Sequence, residues 1–484
     1  MRDDKSIFIY NDFEETDLYW IIPIIIRLAK KKKINKVFTY NSIISILEKD
    51  EFFQKKEILL KDITKELPFY FGVFFKFFAS FFNLLKAVRI IFNLESLVLN
   101  KKSNWLTTQI FHSILDTINV NKNKNFKISN IKKFKIILKS LYELKIANIL
   151  IKSFNFRYAF IGNSVYYSRI YVAVFRDSSI NVINHAQYGL YIQPKKRDSS
   201  WGEINEILYN KINKKIKKID FNNYFKLRSK GQGIYEDSKS SFKGKLKSNN
   251  ELNHNFIFLH VFKDSPFHII DRRRIFVDYF DWIKKTISII KNSEEKWFLK
   301  IHPSARAWGE DSKKFLDSIN YKSKNISIVS NHLSNNLIFR NAKRIITFSG
   351  TSYLESIAYG IKPIIISEPP TFSKFSKNVF KPRNFEEYNF LLSKNLNTNY
   401  FRQKNSSIND KAKKIIYIRE KILTNLKDFD GYLIYKNTSS KRKNLLRELL
   451  KKNLSNREHL FENYLDTLLK FNHSISLKSK NKFL

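Results

Sequence analysis

The chain of 484 residues contains no cysteine. Without a thiol it can form no disulfide, no thiolate zinc site and no cysteine nucleophile. It also contains neither the P-loop pattern GxxxxGK(S/T) nor the GxGxxG fingerprint. These absences argue against a nucleoside triphosphatase and against a dehydrogenase with the usual dinucleotide-binding loop.

Glycine and proline are scarce, with 11 and 9 copies, and acidic residues number 44 against 88 for lysine and arginine. The resulting net charge of +44 would attract phosphate backbones, anionic lipid or acidic polymers. A bias toward Lys, Asn, Ile and Phe along the whole chain explains the same charge without a selected partner. With 43% hydrophobic and 15% aromatic residues, the chain has ample core material, so we do not expect a disordered protein.

One apolar run stands out in this basic sequence. Residues 68–85 read PFYFGVFFKFFASFFNLL, in which Lys76 is the one charge. The run has the minimum length of a membrane span, but a lysine near its centre is costly in the bilayer. We therefore predict a buried or interfacial helix, within an aromatic helical insertion at about residues 66–95. The polar N-terminus leads us to expect no secretory signal.

Hydrophobic periodicity predicts an α/β fold. In the N-terminal part, a strand at 6–10 and a helix at 129–152 precede a βαβ unit, which comprises a strand at 158–161, a helix at 165–175 and a strand at 180–184. In the C-terminal part, five apolar runs alternate with four helical patterns, which predicts a parallel sheet covered by helices on both faces. The five runs are residues 256–261, 297–301, 326–329, 344–348 and 363–367.

These patterns divide the chain into four parts. We expect residues 1–215 to form an N-terminal α/β domain, the polar residues 216–253 a linker, and residues 254–437 a C-terminal Rossmann-like domain. The basic residues 438–484 have the pattern of an amphipathic helical tail packed on the protein.

Three loops follow strands of the predicted C-terminal sheet, at residues 262–266, 302–304 and 349–352. Because ligands of open parallel sheets bind beyond the carboxyl ends of the strands, we expect all three loops at one ligand-binding edge. Lys300 and His302 lie at the end of one strand, and Pro303 terminates it. A histidine here can hold a phosphate or a leaving group, although a lone histidine is more often structural.

The last of these loops has the composition of an anion site. Gly350 permits an unusual backbone turn, and free N–H groups at the following helix start attract a phosphate or diphosphate. The hydroxyl groups of Ser349, Thr351 and Ser352 add donors, but an ordinary Ser/Thr helix cap has the same composition. Glu355, in the first turn of the helix, suits the ribose hydroxyls of a nucleotide. Its alternative is a capping-box or macrodipole glutamate.

Four segments of the C-terminal part resemble the capsule polysaccharide biosynthesis protein family in order and spacing. They are HVFKDSP (260–266), DYFDWIKKTI (278–287), WFLKIHPS (297–304) and ITFSGTSYLESIAYGIKPII (346–365). The N-terminal part is similar only in general pattern, through FIGNSVYYSRI (160–170) and INVINHAQYGLY (180–191). The resemblance implies a glycosyltransferase or relative of the GT-B type. In such proteins two Rossmann-like domains face each other across a cleft, and the C-terminal domain holds a nucleotide sugar.

The resemblance also implies roles for single residues. His302 and Pro303 match a motif that contacts the donor phosphate and nucleotide, residues 349–352 match a phosphate-binding turn, and Glu355 matches an acidic residue near the ribose. Lys300 belongs to the same donor-binding set. A CMP-activated sugar is one option, because related bacterial sialyl- and Kdo-transferases use a similar histidine-proline and Ser/Thr pair. UDP-, GDP- and CDP-linked donors stay open.

The catalytic base has three candidates near predicted strand ends. His185, in the loop after the strand at 180–184, is the first choice, and Asp12 and Asp264 are the others. Their ordinary alternatives are a structural histidine and solvated carboxylates. We expect no cofactor besides the nucleotide-sugar co-substrate and no metal site. The formal DxD motif at residues 428–430 lies beyond the donor sheet.

Three functional hypotheses follow. The first is a metal-independent glycosyltransferase that extends a capsular or other surface polysaccharide, or its lipid-linked precursor. It would act in the cytoplasm, at the inner face of a bacterial membrane and near anionic lipid. The second is a CDP-glycerol-type polyolphosphate transferase with the same site. The third is a non-catalytic nucleic-acid binder. The dispersed basic residues and the lack of RRM, KH and helix-turn-helix signatures argue against it, so nucleic acid is not an expected partner.

Overall fold

The computed structural model describes most of the chain between residues 6 and 417. The described ranges are 6–10, 34–48, 51–54, 58–100, 104–162, 165–186, 189–192, 217–230, 254–264, 275–303, 305–329, 333–367, 377–402 and 405–417, with residues 22, 25, 26 and 28 described singly. Asp12, the DxD motif at 428–430, the predicted tail at 438–484 and most of the predicted linker lie outside these ranges.

The first half of the chain is built on a six-stranded sheet. Its strands are β1 (Ser6–Ile9), β2 (Lys36–Thr39), β3 (Leu59–Asp62), β4 (Phe156–Ile161), β5 (Asn181–Ala186) and β6 (Gly189–Ile192), in the order β3-β2-β1-β4-β5-β6. Strands β1 to β5 are parallel and β6 is antiparallel to β5. The predicted strands β1, β4 and β5 are confirmed. Strands β2, β3 and β6 were not predicted; all three lie away from the centre of the sheet, with β3 and β6 at its edges.

Nine described helices belong to this half. They are α1 (Asn41–Leu47), α2 (Glu51–Gln54), α3 (Ile63–Glu66), α4 (Pro68–Phe71), α5 (Val73–Phe82), α6 (Leu84–Leu99), α7 (Trp105–Val120), α8 (Asn130–Ser153) and α9 (Tyr166–Asp177). Helix α8 begins at Ser129, whose hydroxyl accepts a hydrogen bond from the Lys132 N–H and so caps the helix. The predicted helices at 129–152 and 165–175 are confirmed as α8 and α9.

The second half is built on a five-stranded parallel sheet, as predicted. Its strands are β7 (Asn255–Phe258), β8 (Trp297–Lys300), β9 (Ile326–Ile328), β10 (Arg344–Thr347) and β11 (Ile364–Ile365), in the order β11-β10-β7-β8-β9. All pairings in this sheet are parallel. Its helices are α10 (Lys218–Ser229), α11 (Tyr279–Ile290), α12 (Ser312–Ser318), α13 (Asn335–Asn341), α14 (Ser352–Ala358), α15 (Phe385–Ser393) and α16 (Ser406–Tyr417).

Helix α10 comes from the segment that we predicted as a linker, and it packs on the second half. Tyr224 of α10 joins the buried cluster formed by α14 and α16. Lys218 forms an ion pair with Asp410 of α16, with 2.7 Å between Nζ and Oδ2. The described part of the segment therefore belongs with the second sheet.

Both sheets have the strand order of a Rossmann-like domain, so the fold is α/β with two Rossmann-like units. In each unit the first strand lies at the centre, and the chain then builds outward on one side before it crosses to the other. The order reverses between β1 and β4 in the first sheet and between β7 and β10 in the second. At such a reversal the loops diverge and leave a crevice beyond the carboxyl ends of the two strands.

The two halves contact each other through α7 and the start of α11. Asn119 donates a buried 3.0 Å hydrogen bond to the carboxylate of Asp278, which caps α11. A small apolar cluster at the same contact joins Val98, Leu115 and Val277. The contact therefore combines a buried polar bond with apolar packing.

The apolar run at 68–85 is divided at Gly72 and Asn83 into α4, α5 and the start of α6. Its large side chains are mostly exposed, including Phe74 at 78% and Phe82 at 74%. The buried alternative is therefore wrong, and an interfacial helix stays a prediction. Within the described residues, no single helix has the length and composition of a membrane span. Helices α5 and α6, bent by 55° at Asn83, meet that test only as a pair.

Candidate functional site

The candidate site lies beyond the carboxyl end of β7, where His260 lies between two other rings. Its imidazole stacks on Tyr279, at the start of α11, with 4.6 Å between the ring centroids. The ring of His302, which follows β8, is stacked at 5.4 Å. Burial lowers the pKa of His260 to about 4. At neutral pH this imidazole is therefore uncharged, with one nitrogen that donates and one that accepts a hydrogen bond.

Strand β10 ends beside His260 in a turn through Gly350. Gly350 has a φ of +98°, in a region that residues with a Cβ rarely adopt. A Cβ atom added here would lie 3.8 Å from Nε2 of His260. The unusual turn predicted at Gly350 is thus present, and it brings bare backbone next to an imidazole in the crevice between β7 and β10.

The hydroxyl groups of this turn are partly engaged within it. Ser352 donates to Oγ1 of Thr347 at 3.2 Å, and Thr347 donates to the Ser349 carbonyl at 2.8 Å. Ser349 is buried, and its side chain shares a hydrogen bond with Tyr279. Thr351 is the N-cap of α14 but makes no side-chain capping bond. An ordinary Ser/Thr cap, the alternative to an anion site, is therefore not what the turn contains.

Lys300 and Glu355 are buried, at 5% and 3% exposure. The Lys300 ammonium donates a hydrogen bond to the Leu333 carbonyl. Burial lowers the pKa of Lys300 to about 8, and the nearby Glu355 carboxylate opposes that shift. Glu355 is the fourth residue of α14, one position beyond that of a capping box, so the capping box does not fit, whereas a macrodipole glutamate in the first turn does. The Lys300 ammonium thus holds the chain just before α13 and lies near enough to Glu355 to feel its charge.

His302 and Pro303 follow β8 at the same edge of the sheet. His302 is half-buried beside His260, and Pro303 is exposed. His302 therefore combines a polar side chain with partial exposure next to the crevice, as Thr351 and Ser352 do. Among the described residues, no cluster of three His, Asp or Glu side chains is arranged to hold a metal ion.

Asp264 lies where the two halves face each other. Its Oδ2 is 4.0 Å from Nδ1 of His260, and a third of its side chain is exposed. Burial raises the pKa of Tyr166 and of Tyr279 above the ordinary range, and the Asp264 carboxylate raises both further. Tyr166 begins α9 at the carboxyl end of β4, whereas Asp264 follows β7. The carboxyl edges of the two sheets are therefore close enough here for the Asp264 charge to act on Tyr166.

The first half contributes a strained residue and a buried ion pair to this edge. Tyr166 has a φ of +52°, which is unusual for a residue with a large side chain, and its carbonyl accepts a hydrogen bond from Ser113. Beside it, Asp116 and Arg169 form a fully buried ion pair with 3.1 Å between nitrogen and oxygen. Burial lowers the pKa of Arg169, and the Asp116 carboxylate opposes that shift. None of these residues was predicted, because they are brought together from α7 and α9.

Of the three predicted bases, Asp264 is at this meeting point. His185 lies within β5, in register with Leu190 of β6. The prediction that it lies in a loop after the strand is wrong, because the hairpin with β6 extends β5 to Ala186. The side chain of His185, like the whole of Asp12, is outside the described part of the chain.

Replacement of Lys300 tests its buried state. Unfolding would return the pKa of Lys300 from about 8 to 10.5, so between these values the unfolded chain binds more protons and stability rises with pH. From about pH 7.5 to about pH 10, the free energy of unfolding of the wild type should rise by about 2 kcal/mol relative to that of Lys300→Met. Urea unfolding at both pH values measures this, with the exposed Lys296→Met as control. Parallel pH profiles for wild type and Lys300→Met would show that Lys300 is solvated.

No protein-family model matches the chain, and no curated protein matches its sequence. Solved structures of similar extent include UDP-GlcNAc 2-epimerase from Methanocaldococcus jannaschii in complex with UDP-GlcNAc and UDP, at 13% identity over 85% of this chain and 98% of that one, with a TM-score of 0.25. A glycosyltransferase from Rickettsia africae matches at 11% identity, over 90% of this chain and 100% of that one, with a TM-score of 0.24. A ugt transferase from Siraitia grosvenorii in complex with UDP matches at 9% identity, over 97% of this chain and 99% of that one, with a TM-score of 0.21. At such low scores, the strand order of the two sheets carries the fold assignment.

Proposed function

We propose that this protein is a glycosyltransferase of the GT-B type, which moves a sugar from a nucleotide-sugar donor to an acceptor hydroxyl. The observation that carries the proposal is the meeting of two Rossmann-like carboxyl edges at Asp264 and Tyr166, beside the reversal point that holds His260 and Gly350. Such reversal points are where open α/β sheets bind nucleotides. Two such reversal points near each other, one in each sheet, suit a reaction between two substrates.

The donor would lie in the crevice of the second sheet. The bare backbone at Gly350 permits close approach of a phosphate, and imidazoles of His260 and His302 can donate hydrogen bonds to its oxygens. The resemblance of His302, Pro303 and residues 349–352 to a donor-phosphate motif supports the same placement. The Glu355 carboxylate would bind the ribose by accepting hydrogen bonds from its hydroxyl groups.

The acceptor would enter from the first sheet. In the proposed step the acceptor oxygen forms a bond to the anomeric carbon, its proton passes to the Asp264 carboxylate, and the bond from that carbon to the phosphate oxygen breaks with both electrons on the phosphate. His302 and the turn at 349–352 stabilise the phosphate charge that develops. Tyr166, kept protonated by its raised pKa, can donate to the acceptor. His185 and Asp12 are the alternative bases.

We further propose that the acceptor is a growing capsular or other surface polysaccharide, or its lipid-linked precursor, and that reaction occurs without a metal ion. The resemblance of residues 260–304 and 346–365 to the capsule polysaccharide biosynthesis family supports this choice. A CMP-linked donor is one option among the pyrimidine and purine nucleotides. The inner face of the cytoplasmic membrane is the corresponding site of action.

Removal of the His302 imidazole should weaken donor binding. A lost hydrogen bond to a charged group corresponds to an affinity loss of about tenfold to a hundredfold. Thermal unfolding with CMP, CDP, UDP, GDP, their sugar conjugates and CDP-glycerol should show stabilisation by one nucleotide series, lost in His302→Ala. His254→Ala, at the opposite edge of the same sheet, should keep the stabilisation. Equal stabilisation of both variants would remove His302 from the site, and a response to CDP-glycerol alone would favour the polyolphosphate reaction.

Asp264→Asn should lower kcat about a hundredfold to ten-thousandfold with little change in donor affinity, because the substitution removes a proton acceptor and keeps the shape. Initial rates with the nucleotide series identified above and binding by calorimetry separate the two effects. Asp317→Asn, on the exposed side of α12, is the matched control and should be unchanged. If Asp264→Asn keeps most of its kcat, the base is one of the two candidates from the first half.

A further inference from the structure

Helices α5 and α6 present an exposed apolar surface that the proposed chemistry does not use. Six of its side chains recur at helical spacing, with exposures from 51% for Phe78 to 86% for Leu85; they are Phe74, Phe77, Phe78, Phe81, Phe82 and Leu85. We call these six side chains the aromatic surface. Contiguous apolar patches of this kind on a folded protein mark an interaction site.

The same two helices are firmly packed on their other side. Phe75 and Ala79 of α5 are buried in the core that includes α9, and the Phe75 ring lies 6.4 Å from that of Tyr142 in α8. Ala87 and Ile90 of α6 are buried against α7 and α8. Apolar side chains thus occupy an exposed face of these helices as well as the buried one, and the core accounts for only the buried face. The aromatic surface therefore needs a non-aqueous partner.

Every charged side chain within residues 67–94, which carry the aromatic surface, is basic, and the first carboxylate of α6 is Glu95, beyond that stretch. Lys76, Lys86 and Arg89 are exposed on the same helices, and the sequence contains no Asp or Glu from residue 67 to residue 94. A symmetric dimer through this face would bring these cations toward their own copies with no carboxylate on the face to pair with them. An anionic partner removes that repulsion, and a bilayer with acidic headgroups supplies both the charge and the apolar layer.

The dimensions favour helices that lie on a membrane over helices that cross it. Helix α5 has 10 residues and α6 has 16, or about 15 and 24 Å, against about 30 Å for the hydrocarbon core. The bend of 55° between them and the burial of Ala79 and Ala87 against the protein hold both helices at its surface.

The aromatic surface is connected to the carboxyl edge of the first sheet. Helix α3 begins directly after β3, at the carboxyl edge of the first sheet, and leads into α4 and α5. Phe71 of α4 contacts Tyr40, which in turn contacts Tyr10 at the end of β1, with ring centroids 6.2 Å apart in each pair. A membrane that contacts α5 would therefore lie next to the edge where we place the acceptor.

We propose that the aromatic surface docks the protein on an anionic bilayer, with α5 and α6 lying in the interface and their cations among the headgroups. The aromatic side chains enter the boundary between headgroups and acyl chains, and the first sheet turns its carboxyl edge toward the lipid. This inference is independent of the proposed reaction, because docking requires neither donor nor acceptor.

Sedimentation of the full chain with vesicles tests the proposal. Phosphatidylcholine vesicles that contain phosphatidylglycerol should bind the wild type more strongly than phosphatidylcholine alone.

The triple variant Phe74→Ser, Phe77→Ser and Phe81→Ser should lower the partition coefficient about tenfold or more, because binding scales with the apolar area inserted. The control Phe385→Ser and Phe390→Ser changes exposed phenylalanines of α15 and should leave it unchanged. Lys76→Gln, Lys86→Gln and Arg89→Gln together should lower the preference for phosphatidylglycerol more than three Lys→Gln changes at the exposed Lys284, Lys296 and Lys313 do. Thermal unfolding checks that each variant is folded.

Four results would overturn the proposal. In the first, the wild type binds neither kind of vesicle. In the second, the triple Ser variant binds as well as the wild type, so that diffuse attraction by the net charge of +44 explains the binding. Light scattering could show a dimer that the triple variant dissociates, which would make a second copy the partner. Resistance of the bound wild type to alkaline carbonate would show that the helix pair spans the bilayer.

Discussion

The close approach of two loops at the reversal point of the second sheet is the constraint on which the candidate site depends. Strands β7 and β10 are neighbours in the sheet, but the chain leaves them in opposite directions. Gly350 turns with a positive φ directly beside His260, where a Cβ would be 3.8 Å from Nε2. A larger residue at 350 would be strained and would project into the crevice. The placement of Ser349, Thr351 and Glu355 follows from this turn.

Burial then decides which groups carry charge in the site. The pKa of His260 is lowered to about 4 and those of Tyr166 and Tyr279 are raised, all mainly through loss of solvent. These three groups are therefore neutral hydrogen-bonding groups at physiological pH. The charged groups near them are Asp264, the buried ion pair of Arg169 with Asp116, and the buried Lys300, whose pKa the Glu355 carboxylate influences. An arrangement of fixed neutral donors around a partly exposed carboxylate suits a reaction in which one proton is removed and one phosphate leaves.

The sequence predicted the second sheet well and the first only in part. Strands β7, β8 and β10 are central and covered on both faces, so each appears as a continuous apolar run. Strand β3, in contrast, reads Leu-Leu-Lys-Asp at a sheet edge, where partial exposure removes that signal. His185 was placed in a loop because nothing local to β5 reveals its pairing with β6. The apolar run at 68–85 predicts one helix, whereas the structure breaks it at Gly72 and Asn83 and buries only one face of α5 against the core, so most of the aromatic rings are exposed.

The candidate site shows the same division between local and long-range signals. His302 and Gly350 follow strands of a recognisable sheet, and the rule for ligand-binding edges of parallel sheets pointed to them. Tyr166, Asp116 and Arg169 come from the first half, and only the contact between the halves brings them near Asp264. No spacing in one sequence encodes that contact. Its polar part, the bond from Asn119 to Asp278, joins residues 159 positions apart.

The central claim is that a nucleotide binds at the reversal point of the second sheet. Photoaffinity labelling of the full chain with azido derivatives of cytidine, uridine and guanosine diphosphates tests it most directly, followed by mass-spectrometric mapping of the labelled peptides. The account predicts that one of these nucleotides labels the peptides that contain His260, His302 or Gly350, and that the unlabelled nucleotide prevents this. Labelling confined to the first half, or labelling that the unlabelled nucleotide does not reduce, would contradict the account.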